Sequence, residues 1–335
     1  MGIDLPLLWI IIIAVGLMNY VILDGFDLGI GILLPFVPDR SDRDTMIDTV
    51  APVWDGNETW LVLGGAGLLA VFPLAYSVIL SALYLPIMLM LAGLIFRGVA
   101  FEFRVTADEA HRPFWEKAFA WGSYIATFCQ GVVLGSLING LKVSGGAYSG
   151  GAFEWLTPFS LFTGLGLVVA YALLGSTWLV MKTEGALQSR MKRIARPVTL
   201  ILLLVIAGVS LWTPLSHPEI STRWFAFPNI VFFAPVPILV LLVTWLLLRT
   251  LERDSYAGAF VRALVLMFLG YTGLLISIWP HIIPPDISFR DAAAPPESMG
   301  FTLVGALFVI PCILTYTAWS YYVFRGKVKV GAAHD

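Results

Sequence analysis

Long, uninterrupted apolar runs are the feature that most constrains how this chain can fold. Crossing the hydrocarbon core of a bilayer takes a helix of about 20 apolar residues. A hydropathy window of that length predicts nine membrane-spanning helices within one polytopic domain, 1–335. Their approximate ranges are 7–34, 55–72, 78–97, 118–139, 157–181, 197–213, 228–248, 260–281 and 300–324. Pro73 is expected to separate the second span from the third, because proline interrupts a helix.

Composition supports an integral membrane protein. Hydrophobic residues make up 59% of the chain and charged residues 13%, whereas about 25% of residues are charged in soluble domains. The net charge of -2 and the scattered basic residues exclude a nucleic-acid-binding surface. Cys129 and Cys312 each lie inside an apolar run, without the spacing of a metal site. We therefore expect no metal to be bound.

The distribution of basic residues predicts the orientation of the chain in the membrane. Loops that retain Lys and Arg stay on the cytoplasmic side. With nine spans, seventeen of the 20 basic residues fall on one side and three, Lys142, Arg223 and Arg290, on the other. The N-terminus is therefore predicted to lie outside the cytoplasm and the C-terminus inside it.

Asp24 and Asp27 are two acids inside the first apolar run. Their i, i+3 spacing places them on one helix face, where both can point into a helix bundle. Two interpretations stay open. The pair belongs to a proton-conducting or polar network, or it lies near the inner boundary and is neutralised by Arg40 or Arg43.

Asp55 and Glu58 stand at the start of the second run, between Trp54 and Trp60. The spacing fits a capping box, with Asp55 as the N-cap and Glu58 covering free amides of the first turn. The same two acids stand where a proton can enter the membrane, so capping and proton transfer are compatible. At the inner end of the third span, Arg97, Glu102 and Arg104 are expected to form a structural ion-pair network.

The histidines argue against haem ligation by this chain. An axial ligand has to face inward from a helix. His111 and His217 fall in predicted loops, His281 at the end of a span and His334 beside the C-terminus.

Three motifs, in this order, resemble subunit II of the cytochrome bd-type ubiquinol oxidases. They are Asn-Tyr-Val-Ile-Leu-Asp-Gly-Phe-Asp-Leu-Gly-Ile-Gly at 19–31, Val-Trp-Asp-Gly-Asn-Glu-Thr-Trp-Leu at 53–61 and Phe-Arg-Gly-Val-Ala-Phe-Glu-Phe-Arg at 96–104. The later part of the chain agrees in span count and in Gln130-Gly131. The chain is short for this family, as in its cyanide-insensitive branch.

The resemblance implies two four-helix bundles plus one peripheral ninth helix, in a bacterial cytoplasmic membrane with the N-terminus periplasmic. It implies a haem-bearing subunit I as partner, with two b-type haems and one d-type haem or b-type substitute. That subunit oxidises quinol and reduces dioxygen to water. The resemblance also implies that Asp55 belongs to a proton path from the cytoplasm, and it allows a small single-span accessory subunit. Membrane lipid and quinone are the remaining expected partners.

A proton-coupled secondary transporter is the alternative, with Asp24, Asp27, Asp55 and Glu58 as coupling acids. Transporters of this kind usually carry paired broken helices in two inverted halves. The four acids here are confined to the N-terminal part of the chain.

Reporter fusions test the predicted orientation. Fusions after Gly146 and Pro295 should be external, and fusions after Gly185 and Gly331 cytoplasmic, because the basic residues divide seventeen to three. Alkaline phosphatase and green fluorescent protein activity report the two sides. A cytoplasmic signal at Gly146 would mean that a span upstream of it is miscounted.

Overall fold

The fold is a bundle of long helices. The computed structural model describes residues 3–253 and 256–328. Its helices are α1 (Leu5–Leu33), continued by a short 3-10 turn (Leu34–Phe36), α2 (Arg40–Asp48), α3 (Trp54–Val71), α4 (Pro73–Thr106), α5 (Arg112–Asn139), α6 (Pro158–Lys182), α7 (Gly185–Ser216), α8 (Pro218–Phe225), α9 (Asn229–Phe233), α10 (Pro235–Glu252), α11 (Tyr256–Ile278) and α12 (Pro296–Val323).

Two small antiparallel hairpins lie between helices. They pair β1 (Val143–Ser144) with β2 (Ala147–Tyr148), and β3 (His281–Ile283) with β4 (Ile287–Ser288). In the first hairpin Gly145 and Gly146 form the turn with positive φ angles of 57° and 77°, which side chains disfavour. Both hairpins connect helices at the end of the bundle where α1 begins.

The predicted all-helical membrane class is confirmed. Eight helices among the described residues are long and apolar enough to cross a bilayer, and each matches a predicted span. The remaining predicted span, 55–72, corresponds to α3, which is 18 residues long and less apolar because its first turns are polar. The count of nine spans and the division into two four-helix bundles plus a peripheral helix stay predictions. Pro73 does separate α3 from α4.

Several helices extend further than the predicted spans. α4 continues to Thr106, so Arg97, Glu102 and Arg104 all lie within it. The basic segment 182–196 lies between two predicted spans, yet Lys182 ends α6 and Gly185 begins α7, so most of the segment is helical. The reason is physical: Lys, Arg and Gln are good helix formers, yet they lower the mean hydropathy of any window that contains them. A hydropathy window therefore finds where the hydrocarbon ends, not where the helix ends.

α1 and α6 cross at close range in the bundle. Gly29 and Gly175 meet there, and a Cβ atom on Gly29 would overlap the carbonyl oxygen of Tyr171 and crowd the amide nitrogen of Gly175. Small residues at a membrane helix crossing let the two backbones approach closely. The C-terminal half of α1 is consequently buried almost completely, which removes its two acids from lipid.

Specific polar contacts hold helix α12 at both ends. At its start, Trp9 Nε1 of α1 donates to the carbonyl of Met299 at 3.1 Å. Beside it, the Arg290 guanidinium pairs with Asp4 at 2.6 Å and holds the pKa of that carboxyl below its usual range. At the other end, the ammonium of Lys182 donates to the carbonyls of Phe324 and Gly326.

A methyl group at the α1–α6 crossing should disrupt the fold. Gly29→Ala and Gly175→Ala should each lower the yield and melting temperature of the purified protein, because the added Cβ has no room between two backbones. The matched control is Gly273→Ala on α11, where an added Cβ meets nothing within 4 Å. Fluorescence-detected size exclusion after graded heating measures the difference. Equal melting temperatures for all three variants would contradict the close crossing.

Candidate functional site: a buried acid cluster around Arg97

Arg97 of α4 is the centre of the site. Its side chain is fully buried, and Nη2 lies 2.8 Å from Asp24 Oδ1 and 2.9 Å from Glu58 Oε2. The side chain of Asp24 is 0% exposed, whereas that of Glu58 is 28% exposed. One guanidinium nitrogen thus joins a carboxylate inside the bundle to a carboxylate that reaches its surface.

The chain path explains why these residues meet. α1 ends, α3 begins and α4 ends on the same side of the bundle, and α3 packs against α1. Asp24 is near the end of α1, Glu58 is in the second turn of α3 and Arg97 is near the end of α4. Trp54 completes the arrangement: the Arg97 guanidinium lies 5.6 Å from its ring centre, and the ring stacks on Phe101 at 5.0 Å.

Asp27 is joined to a separate chain of hydrogen bonds. Asn57 Nδ2 donates to Asp27 Oδ2 at 2.8 Å, and the hydroxyl of Tyr321 on α12 donates to Asn57 Oδ1 at 2.9 Å. Asp27 is 0% exposed and Asn57 is 1% exposed. Asp27 on α1 is therefore linked to Tyr321 on α12 through the side-chain amide of Asn57 on α3.

On the other side of Asp24, a polar chain continues toward the middle of the bundle. Tyr20 lies one helical turn before Asp24 on the same helix, α1. Gln130 Nε2 donates to the Tyr20 hydroxyl at 2.6 Å, and the Tyr171 hydroxyl donates to Gln130 Oε1 at 3.0 Å. Hydrogen bonds thus connect Tyr20, one turn from Asp24, to Tyr171 on α6 near the α1–α6 crossing.

The start of α3 differs from the predicted capping box. α3 begins at Trp54 with Val53 as its N-cap and no side-chain capping bond, so the predicted capping box of Asp55 and Glu58 is wrong. Glu58 instead turns inward to Arg97, where an opposite charge is available. Asp55 is exposed one turn before Glu58, in the first turn of α3. Trp60 is buried, at 2% exposure.

A second ion-pair network, separate from the Arg97 cluster, ties α2, α4 and α5 together. Arg104 pairs with Asp44, and with Glu116 at 3.4 Å. In the described part of the chain, Glu102 is exposed and forms no ion pair, which differs from the expected network of Arg97, Glu102 and Arg104.

The alternative partners for Asp24 and Asp27 are also corrected. Arg40 pairs with Glu109, and Arg43 lies 3.0 Å from Glu116. Asp24 pairs with Arg97 instead, because that arginine is buried at the same depth.

The chemistry of the Arg97 cluster follows from its charges. Two carboxylates, Asp24 and Glu58, contact the Arg97 guanidinium, and a third, Asp27, lies one turn from Asp24 on α1, so one positive charge cannot balance all three. An uncompensated charge in a membrane interior is costly, and acids in such positions usually serve proton or ion pathways. A cluster of this composition can hold a proton or release one.

The described histidines lie outside the spanning helices. Among the described residues, His111 and His217 lie between helices and His281 lies in β3, so each is outside the spanning helices. His334 lies outside the described residues. No group of three or more His, Cys, Asp or Glu residues arranged to hold a metal ion occurs in residues 3–253 and 256–328.

The fold and the cluster define a polytopic helical membrane protein with a buried ionisable site. The family model for cytochrome bd terminal oxidase subunit II matches residues 5–324. The chain therefore belongs to the cytochrome bd terminal oxidase subunit II family, as the motifs predicted.

Individual relatives agree along nearly the whole chain. Cytochrome bd-I ubiquinol oxidase subunit 2 of Escherichia coli K12 is 28% identical over 363 residues, covering 97% of this chain and 95% of that protein. Cytochrome bd ubiquinol oxidase subunit 2 of Bacillus subtilis 168 is 27% identical and covers 96% of each. A chain of the bd oxidase from Geobacillus thermodenitrificans shares the fold, with a TM-score of 0.78, 18% identity and coverage of 97% of this chain and 100% of that one.

Asn57, Tyr321, Tyr20, Gln130 and Tyr171 were not predicted as site residues. Asn57 stands inside the motif of the second span, two residues after Asp55, and that position was a usable signal. Tyr321 is 264 residues from its partner Asn57. Local sequence patterns carry no information about such a contact.

Removing Arg97 should destabilise the protein strongly. Arg97→Met leaves the buried Asp24 without its counter-charge, which typically costs about 3–5 kcal/mol. Thermal unfolding of the purified complex measures the effect, and adding Asp24→Asn to Arg97→Met should restore part of the lost stability. The control Arg40→Met breaks an exposed pair and should change little. Equal effects of the two arginine substitutions would contradict a buried ion pair.

Proposed function

We propose that this chain is subunit II of a quinol:oxygen oxidoreductase in the aerobic respiratory chain of a bacterium. It pairs with a haem-bearing subunit I in the cytoplasmic membrane, and the complex oxidises quinol and reduces dioxygen to water. Membership of the family supports this function, and the relatives are named ubiquinol oxidase subunits. The same membership favours the oxidase over the secondary transporter.

The redox chemistry belongs to the partner subunit in this proposal. Two b-type haems and one d-type haem, or a b-type substitute, supply electron transfer and dioxygen reduction there. This chain's own histidines stand outside its spanning helices wherever the structure describes them. A small single-span accessory subunit, lipid and quinone are further proposed partners. The exposed apolar side chains of α12, with Phe301 at 84% and Phe308 at 71% exposure, are suited to lipid or another subunit.

The contribution of this chain is a proton path through the Arg97 cluster. The observation that carries the proposal is the graded burial of three linked groups: Glu58 is partly exposed, while Arg97 and Asp24 are fully buried. Asp55 stands exposed at the mouth, Glu58 takes the proton inward, and Asp24 and Asp27 hold it inside the bundle. Asp24 and Glu58 approach the same nitrogen of Arg97, which stays protonated, so the proton passes between the two carboxylates directly or through one water.

The direction of this path follows from the predicted topology. With the N-terminus periplasmic and the C-terminus cytoplasmic, α1 ends and α3 begins on the cytoplasmic side. Asp55 and Glu58 then face the cytoplasm. Protons consumed in dioxygen reduction come from that side, while quinol oxidation releases protons outside, so turnover contributes to the proton motive force.

Neutral amides at the three acids of the path test this function. Asp55→Asn, Glu58→Gln and Asp24→Asn should each slow quinol-driven oxygen consumption by about tenfold or more, because positioned proton-transfer groups typically contribute at least that much. Haem absorption bands should stay normal. An oxygen electrode and an absorption spectrum of the same purified complex give both values.

The matched control is Glu102→Gln. Glu102 is an exposed acid on α4, near the same end of the helix as Arg97. This substitution should leave oxygen consumption unchanged. Unchanged turnover in Glu58→Gln and Asp24→Asn, with normal haem content, would refute the proton path.

A further inference from the structure

The buried carboxylate of Asp27 receives its side-chain hydrogen bond from a neutral amide. In the part of the chain that the structure describes, Asn57 is the only side chain that donates a hydrogen bond to it, and Asp27 Oδ1 has no donor at all. Among the described residues Asp24 likewise accepts no hydrogen bond, but its Oδ1 lies 2.8 Å from Arg97 Nη2 and is compensated by a full positive charge. The charge state of Asp27 therefore depends on how one neutral amide is turned.

An asparagine amide can present either its NH₂ group or its oxygen to a neighbour. The NH₂ group stabilises an ionised carboxylate, whereas the oxygen accepts from a protonated one. Asn57 presents NH₂ to Asp27 at 2.8 Å, and a second, longer contact from the same nitrogen reaches the carbonyl of Leu23 at 3.4 Å. The amide is held in the orientation that suits the charged form of Asp27.

Tyr321 is the group that makes this orientation complete. Its hydroxyl donates to Asn57 Oδ1 at 2.9 Å, so the oxygen that points away from Asp27 is satisfied. Without that donor, Oδ1 is buried and unpaired, and rotation of the amide toward a protonated Asp27 satisfies it again. The ring of Tyr321 has a separate role, since it packs edge-on against Phe26 and Trp178 at 6.4 Å and 6.2 Å.

We propose that Asn57 and Tyr321 are positioning residues that set how tightly Asp27 holds its proton. The proposal deepens the proposed proton path and rests on it for its functional meaning. The proposal also assigns a role to α12, because the Tyr321 hydroxyl on this helix then influences the proton affinity of Asp27 inside the bundle.

Other titratable and charged groups near Asp24 and Asp27 come from α1 itself and from four further helices. They are Tyr20 on α1, Glu58 on α3, Arg97 on α4, Tyr171 on α6 and Tyr321 on α12. Substitutions at Asn57 and Tyr321 leave the first four of these groups in place. A change in the titration of Asp27 is then traceable to the amide and its hydroxyl donor.

An infrared titration of the purified two-subunit complex at rest, without quinol, tests the proposal. The carbonyl band of a protonated carboxylic acid is followed against pH, and Asp27→Asn identifies the part of the band that belongs to Asp27. In Tyr321→Phe, which keeps the ring and removes only the hydroxyl, this band should persist to a pH higher by about one unit, the size expected for a lost donor in a chain that ends on a charge. Tyr322→Phe is the control, since that ring is 59% exposed on the next position of the same helix.

A double-variant cycle shows whether Tyr321 acts through Asn57. Asn57→Ala should shift the Asp27 band at least as far as Tyr321→Phe does. Adding Tyr321→Phe to Asn57→Ala should produce no further shift, because the hydroxyl then has no amide to orient. A general loosening of the fold would instead make the two shifts add.

The outcomes separate this inference from the proton path. An Asp27 band in Tyr321→Phe that is the same as in the unchanged protein at every pH would overturn the inference, as would additive shifts in the double variant. The measurement needs no turnover. If the band shifts while Glu58→Gln and Asp24→Asn leave oxygen consumption normal, the inference stands and the proton path fails.

Discussion

The buried ion pair between Arg97 and Asp24 is the interaction on which the geometry of this chain depends. Apolar contacts between membrane helices are non-directional and resemble contacts with lipid, so they do not by themselves fix rotation or depth. A charge pair inside the bundle does fix them, since displacement of either helix exposes an uncompensated charge to hydrocarbon. α1 and α4 are therefore held at one relative depth, and Glu58 on α3 is drawn to the same guanidinium.

Close backbone packing and the polar cluster support one another. The Gly29–Gly175 crossing brings α6 against α1 at the level just beyond the acids and places Tyr171 beside α1. Tyr171 then orients Gln130, whose amide bonds to Tyr20 next to Asp24. An analogous order connects Tyr321, Asn57 and Asp27. In both cases a tyrosine hydroxyl donates to the oxygen of an amide side chain. The nitrogen of that amide then donates to Asp27 itself in one case, and to Tyr20, one turn from Asp24, in the other.

Much of this arrangement was predictable from the sequence. The apolar runs located the long helices, and the spacing of Asp24 and Asp27 placed two acids on one face of α1. The partners of these acids could not be predicted in the same way. Pairing of Asp24 with Arg97 depends on the relative depth of α4 and α1, whereas the sequence offered Arg40 and Arg43 as partners in one of two open interpretations. The capping box failed because a buried opposite charge attracted Glu58 more strongly than free amides of its own helix.

Lys182 binds the residues that follow α12, so these residues are part of the folded structure. Its ammonium lies 5.0 Å from the Trp178 ring and takes its hydrogen-bond acceptors from the carbonyls of Phe324 and Gly326, which lie beyond the last turn of α12. The last large apolar side chain of that helix does not mark the boundary of the folded unit. A shortened chain that stops before Gly326 leaves a buried ammonium short of an acceptor and frees the end of α12, three residues from Tyr321. The polar residues after the final helix thus belong to the membrane domain as much as the helix itself does.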